Sequence, residues 1–245
     1  RKASAQEWSS TPAFELKSGI PFQTKITGLA ANTAYRYRLK FTKAGEKTAA
    51  FSPEYRIQTQ RAAGTSFTFF VQGDSHPERT PKMHVPSLYE RILLTAEEQK
   101  PDFYICLGDD FSVDTLRERT KETVEGVYTK QVPYLGLVGH SAPLFLVNGN
   151  HEQAARVNLD GTAQSLGVLT QTARNRNFVQ PAPDGFYTGN TEPVEHIGLL
   201  RNYFAWTWGD ALFVTIDPYW HSASAVDNTV GKGPKQEGGG KKNRN

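Results

Sequence analysis

Along the chain the order of apolar and polar positions changes character once, near residue 63. Before that point the two alternate. In Tyr35-Arg-Tyr-Arg-Leu-Lys-Phe41 the apolar residues Tyr35, Tyr37, Leu39 and Phe41 share one face, and Arg36, Arg38 and Lys40 share the other. That period of two predicts a half-exposed strand whose apolar stripe faces a core. Shorter segments at 22–26 and 55–59, with a turn from Gly28 to Asn32, extend the pattern to a small all-β sandwich over residues 1–62. Beyond Arg61-Ala-Ala-Gly-Thr65 the runs become continuously apolar, as in Ser66-Phe-Thr-Phe-Phe-Val-Gln72 and Phe103-Tyr-Ile-Cys-Leu107, which predicts strands covered on both faces. A helix is expected at 87–99, another at 114–131 with Asp114 as its N-cap, and a third strand at 143–147. Strand, helix, strand, helix, strand predicts an α/β layered domain, β-sheets flanked by helices, over residues 63–245. Two further strands, 202–208 and 211–217, are joined by the turn pair Gly209-Asp210.

Composition narrows the picture. With 14 Phe, 10 Tyr and 4 Trp in 245 residues there is apolar mass for a substantial core, which excludes a globally disordered chain. The net charge of +3 is carried partly by the last dozen residues, so no dense basic face marks specific nucleic-acid binding. No apolar run reaches the length of a membrane span. The single cysteine, Cys106, lies inside an apolar strand and reads as a core thiol, so neither an intrachain disulfide nor a cysteine zinc site can form. The glycine- and lysine-rich segment from Gly231 to Asn245 reads as a disordered loop.

The candidate chemistry sits where each of the first three buried strands ends. The clusters are Gly73-Asp74-Ser75-His76, Gly108-Asp109-Asp110 and Gly149-Asn150-His151-Glu152. In open α/β sheets the loops beyond the carboxyl ends of the strands meet in one crevice, so residues distant in sequence converge there. Carboxylate, imidazole and amide donors without soft sulfur suit two divalent or trivalent ions such as Fe, Zn or Mn, and a carboxylate can bridge a pair of them. Asp109 is the bridging candidate. Asp110 and Glu152 read as outer supports of the site. Asp and Asn beside Gly are also ordinary turn chemistry, and that bland reading loses ground only because three such clusters recur at three strand ends. His84, His140 and His196 read as solvated loop histidines, and Tyr219, Trp220 and His221 as residues that could meet a substrate.

The order Asp-x-His, Gly-Asp, Gly-Asn-His-Glu resembles the calcineurin-like metallophosphoesterases, over residues 66 to 217. The stretch Thr-Gly-Leu-Ala-Ala-Asn-Thr-Ala-Tyr-Arg-Tyr at 27–37 resembles the turn and tyrosine strand of fibronectin type III-like domains, a pairing similar to the two-domain layout of purple acid phosphatases. The resemblance implies that Asp74, His76, Asp109 and Asn150 bind metal. It implies that Asp109 bridges two ions and that His151 assists the leaving oxygen. The implied activity is hydrolysis of a small-molecule phosphate ester, monoester or diester, by a metal-bound hydroxide. Ser112 stands where purple acid phosphatases carry their iron-binding tyrosine, which implies a colourless site. No Gly-His-x-His motif occurs, so the expectation is a chain truncated at both ends, short of the late metal ligands and itself inactive or nearly so. An extracytoplasmic protein, periplasmic or secreted, is expected from the same resemblance. The rival readings are a non-catalytic surface or adhesion protein with a degenerate phosphoesterase domain, and a metal-free hydrolase, which the sequence disfavours because it shows no nucleophile elbow. The oligomeric state is left open.

Overall fold

The computed structural model describes residues 1–152 and 159–220. Its centre is a parallel sheet of three strands, β5 (Phe69–Gln72), β6 (Phe103–Cys106) and β7 (Leu144–Leu146), in the order β5-β6-β7. Ahead of them lie β1 (Ala34–Tyr37), β2 (Lys40–Phe41), β3 (Ala50–Phe51) and β4 (Tyr55–Gln58). Three helices, α1 (Pro86–Glu98), α2 (Lys121–Gly139) and α3 (Leu166–Asn177), cover one face of the central sheet. Its other face meets a second sheet built from β8 (Thr188–Gly189), β11 (Phe204–Trp208) and β12 (Ala211–Thr215) in the order β12-β11-β8, and β9 (Pro193–Val194) pairs with β10 (Gly198–Leu199) as a separate ribbon.

Each layer follows from its side chains. In α2 the buried residues Val124, Tyr128, Gln131, Leu135 and Val138 recur every three or four positions, so one stripe faces the sheet. Thr120 caps this helix reciprocally with Thr123. The expected helix at 114–131 is therefore shifted. Its N-cap lies six residues later, at Thr120, because the Thr120–Thr123 box satisfies free amides there, and it runs through Pro133 because Leu135 and Val138 gain full burial beyond it. Between the two sheets Phe103, Phe145, Trp206, Trp208 and Phe204 form an aromatic core, with Phe145 stacked on Trp206 at 4.0 Å between ring centroids. The Gly209-Asp210 turn closes the β11–β12 hairpin as expected.

The expectation that all these strands are covered on both faces fails for β5. Phe69 and Val71 are exposed, because β5 lies at the edge of the described sheet. The N-terminal stripe also departs from expectation. Tyr35 is buried, but Leu39 and Phe41 are exposed, because the strand breaks after Tyr37 and its halves pair separately, β1 with β4 and β2 with β3. Residues 22–26 form no strand. These segments dock on the α/β body through the Tyr37 hydroxyl, which donates to the His140 carbonyl at 2.7 Å, and through Arg61, 2.5 Å from the buried Asp102 carboxylate. No helix among the described residues is long and apolar enough to cross a membrane.

Candidate metal centre

All three polar clusters leave the same edge of the central sheet, because parallel strands present their carboxyl ends together. The backbone there turns sharply. Asp74, His76 and Asp109 all have positive φ, at 56°, 42° and 58°. Short polar side chains tolerate that region better than bulky ones, and such outliers concentrate where a structure holds side chains in a set position. The loops of β6 and β7 approach so closely that a Cβ on Gly108 would collide with the Gly149 backbone, and one on Gly149 would collide with the Asp109 carboxylate. Glu152, wholly buried, ties the same two loops together. Its Oε1 accepts from the amides of Asp110 and Phe111 at 2.7 and 3.0 Å, and its Oε2 from the Gly149 amide at 2.7 Å.

The side chains that converge are acceptors. His76 Nε2 lies 3.5 Å from Asp74 Oδ1 and 3.6 Å from Asp109 Oδ2, and His151 Nε2 lies 3.9 Å from that same Asp109 oxygen. One ligand atom each from His76, Asp109 and His151 fits within a 4.8 Å span. The other imidazole nitrogens are spoken for. His76 Nδ1 is 2.8 Å from Glu78 Oε1, and His151 Nδ1 is 2.7 Å from Asp114 Oδ1. An ionised carboxylate only accepts, so in the neutral tautomer that donates from Nδ1 each ring would turn its Nε2 lone pair toward Asp109. Three such atoms facing one space form a set that a cation satisfies, and nitrogen with oxygen suits Zn, Fe or Mn. These residues fit a metal ion.

Deeper in, Asp110 accepts from the Gln72 side-chain amide at 2.9 Å and the Ser75 backbone amide at 3.3 Å. Burial pushes its carboxyl up to about 6, against the lowering effect of those donors. Burial first, and the nearby Asp110 charge second, push Glu152 up to about 7.

A family model for calcineurin-like phosphoesterases matches residues 67–229, well over half of the chain. The chain belongs to the calcineurin-like phosphoesterase family. Among solved structures, the purple acid phosphatase PPD1 from yellow lupin (Lupinus luteus) is similar at 16% identity and a TM-score of 0.47, over 76% of this chain and 30% of that one. A structure of PhoD is similar at 18% identity and a TM-score of 0.49, over 82% of this chain and 40% of that one. The phosphoesterase chain thus spans well under half the length of either. No curated protein sequence matches it.

The phosphoesterase fold brings Asp74, His76, Asp109 and His151 together and leaves Asn150 exposed on the turn between them. His151, expected beside a leaving group, also shares the metal-sized space. Two supports were not legible. Asp114, expected as a helix cap, is instead the partner of His151, and Glu78, which carries no motif, is the partner of His76. The only sequence signal for Glu78 is an acid two residues past a candidate ligand. His84 is buried rather than solvated, its Nδ1 2.8 Å from the Ser75 carbonyl and its ring against Tyr89 and Tyr134. His140 packs on Tyr55 at the end of α2, and His196 occupies an exposed turn. Tyr219 donates its amide to Asp217, Trp220 is buried, and His221 lies outside the described residues, as does the segment from Gly231.

Proposed function

We propose that the protein containing this chain is a metal-dependent hydrolase of small phosphate esters with a binuclear centre. The carrying observation is the convergence of His76 Nε2, Asp109 Oδ2 and His151 Nε2 at three strand ends, at 3.6 and 3.9 Å from the shared carboxylate oxygen. In this reading Asp74, His76 and Asp109 would hold one ion, and Asp109 and Asn150 would contribute to the other. When bound, the metal ions would supply positive charge for the phosphate oxygens and a nucleophile from water near neutral pH. His151, which is left out of that ligand set although its Nε2 borders the same space, would take a proton on Nε2 as the imidazolium and pass it to the departing ester oxygen. Asp114, at 2.7 Å from Nδ1, keeps the ring oriented and stabilises that charged form. Buried Glu152 keeps the loops of Asp109 and His151 in register while this happens.

The reading of residues 1–62 as part of a fibronectin type III-like unit is supported by the Tyr35 hydroxyl, which accepts from the Ala30 amide five residues upstream at 2.8 Å, the bond of a tyrosine corner. An extracytoplasmic location belongs to the same proposal, and cell fractionation tests it.

The decisive experiment is elemental analysis of the purified full-length protein together with hydrolysis of an aryl phosphate. Two transition-metal ions per chain are expected, with Asp109→Asn and Asn150→Ala lowering both metal content and turnover. One ion or none after reconstitution overturns the binuclear centre, and substoichiometric metal without turnover favours a non-catalytic binding protein. The iron-loaded form should show no visible charge-transfer band, because position 112 is serine.

A further inference from the structure

Glu78 belongs to no cluster that the sequence singles out, yet it makes the shortest polar contact of His76, 2.8 Å from Nδ1. It stands in the short 3-10 turn Pro77–Arg79, which begins directly after His76. The Arg79 guanidinium Nε lies 3.3 Å from the same Glu78 oxygen, an ion pair within the turn beside the ring. The second neighbour of Nδ1, the Ser112 hydroxyl at 3.3 Å, can accept or donate and therefore selects nothing. The choice of which ring nitrogen carries the proton thus falls to Glu78. His76 itself is buried, with Nε2 between Asp74 and Asp109, so the opposite tautomer would point a proton into the ligand space and withdraw the lone pair from it.

We propose that Glu78 is a positioning residue for His76: by accepting a hydrogen bond from Nδ1 it locks the imidazole in the tautomer whose Nε2 lone pair faces Asp74 and Asp109. The inference rests on the reading of His76 as a metal ligand. Its chemistry is that of a carboxylate–histidine–metal relay, in which the outer carboxylate fixes ring orientation and raises the basicity of the ligating nitrogen. Glu78 touches neither metal nor substrate in this role.

The test uses the 245-residue chain and its variants Glu78→Ala, Glu78→Gln, Arg79→Ala and Asp109→Asn. In the metal-free protein, nitrogen NMR of His76 should show a proton on Nδ1 in the wild type and a mixture of tautomers in Glu78→Ala, with Glu78→Gln in between. Calorimetric titration with Zn2+ alone should show Glu78→Ala weaker by about 10–100-fold, the usual range for loss of such an outer partner. Arg79→Ala removes the turn's ion pair but keeps the Nδ1 contact, and should shift Zn2+ affinity by less than about threefold on the same scale. An unchanged His76 tautomer in Glu78→Ala overturns the inference, and so does an equal loss of affinity in Arg79→Ala, which would make Glu78 a mere support of the turn. The metal reading fails separately, if the wild-type chain takes up no Zn2+ or if Asp109→Asn binds it as well as the wild type. The tautomer measurement decides the role of Glu78 in either event.

Discussion

Strands β6 and β12 are written in nearly the same alphabet, Phe-Tyr-Ile-Cys and Ala-Leu-Phe-Val-Thr, and meet opposite fates. Every residue of β6 is buried, because helices cover one of its faces and the second sheet covers the other. In β12 only the face carrying Phe213 and Thr215 turns inward, while Leu212 and Val214, followed by Ile216, stand on the open side and are about two-thirds exposed. Apolar composition therefore reports that a strand wants cover, and the neighbouring layers decide whether it has any.

The comparison breaks most severely at Phe103, which meets Phe145, Trp206, Trp208 and Phe213 with ring centroids 5.0 to 5.8 Å away. Phe103→Ala should cost about 3–5 kcal/mol in denaturant unfolding, and a loss under about 1 kcal/mol would mean that the sheets do not pack there. At the entrance to β6, Arg61→Ala leaves the buried Asp102 carboxylate without its cation, though the Thr68 amide still donates to it at 3.1 Å. The arginine is about a quarter exposed, so water compensates in part, and a loss of about 1–3 kcal/mol is expected in the same measurement. Thr120→Ala removes the cap of the helix that covers β6, with an expected loss of about 1 kcal/mol and more rapid amide exchange confined to the first turn. The pair Leu212→Thr and Val214→Thr should change stability by no more than about 0.5 kcal/mol each and should lower light scattering on heating, since both are exposed apolar side chains on a strand. A core-sized penalty at either position would show that this face is covered in solution.

The candidate site divides in a similar way. Asp74, His76, Asp109 and His151 were legible because each follows an apolar strand and a glycine, and parallel strands must deliver their ends to one crevice. Glu78 and Asp114 were not, because a hydrogen-bond partner for an imidazole has no spacing rule, and Asp114 lay where a helix cap would also be read. His84 misled for the converse reason. A histidine in a polar loop reads as solvated, and only the packing of α1 against α2 closes Tyr89 and Tyr134 over it.

By itself the sequence determined the succession β5, α1, β6, α2, β7, though not α3, together with the hairpin at Gly209-Asp210 and the donor types gathered at the strand ends, because periodicity, turn residues and ligand chemistry act over a few neighbouring positions. Tertiary structure alone decided where α2 begins and ends, which strand faces remain bare, and which carboxylate serves which histidine. Those outcomes depend on burial and on hydrogen bonds between residues far apart in the chain or unconstrained in spacing, and a burial gain beyond Pro133 can outweigh the local preference that would have stopped a helix there.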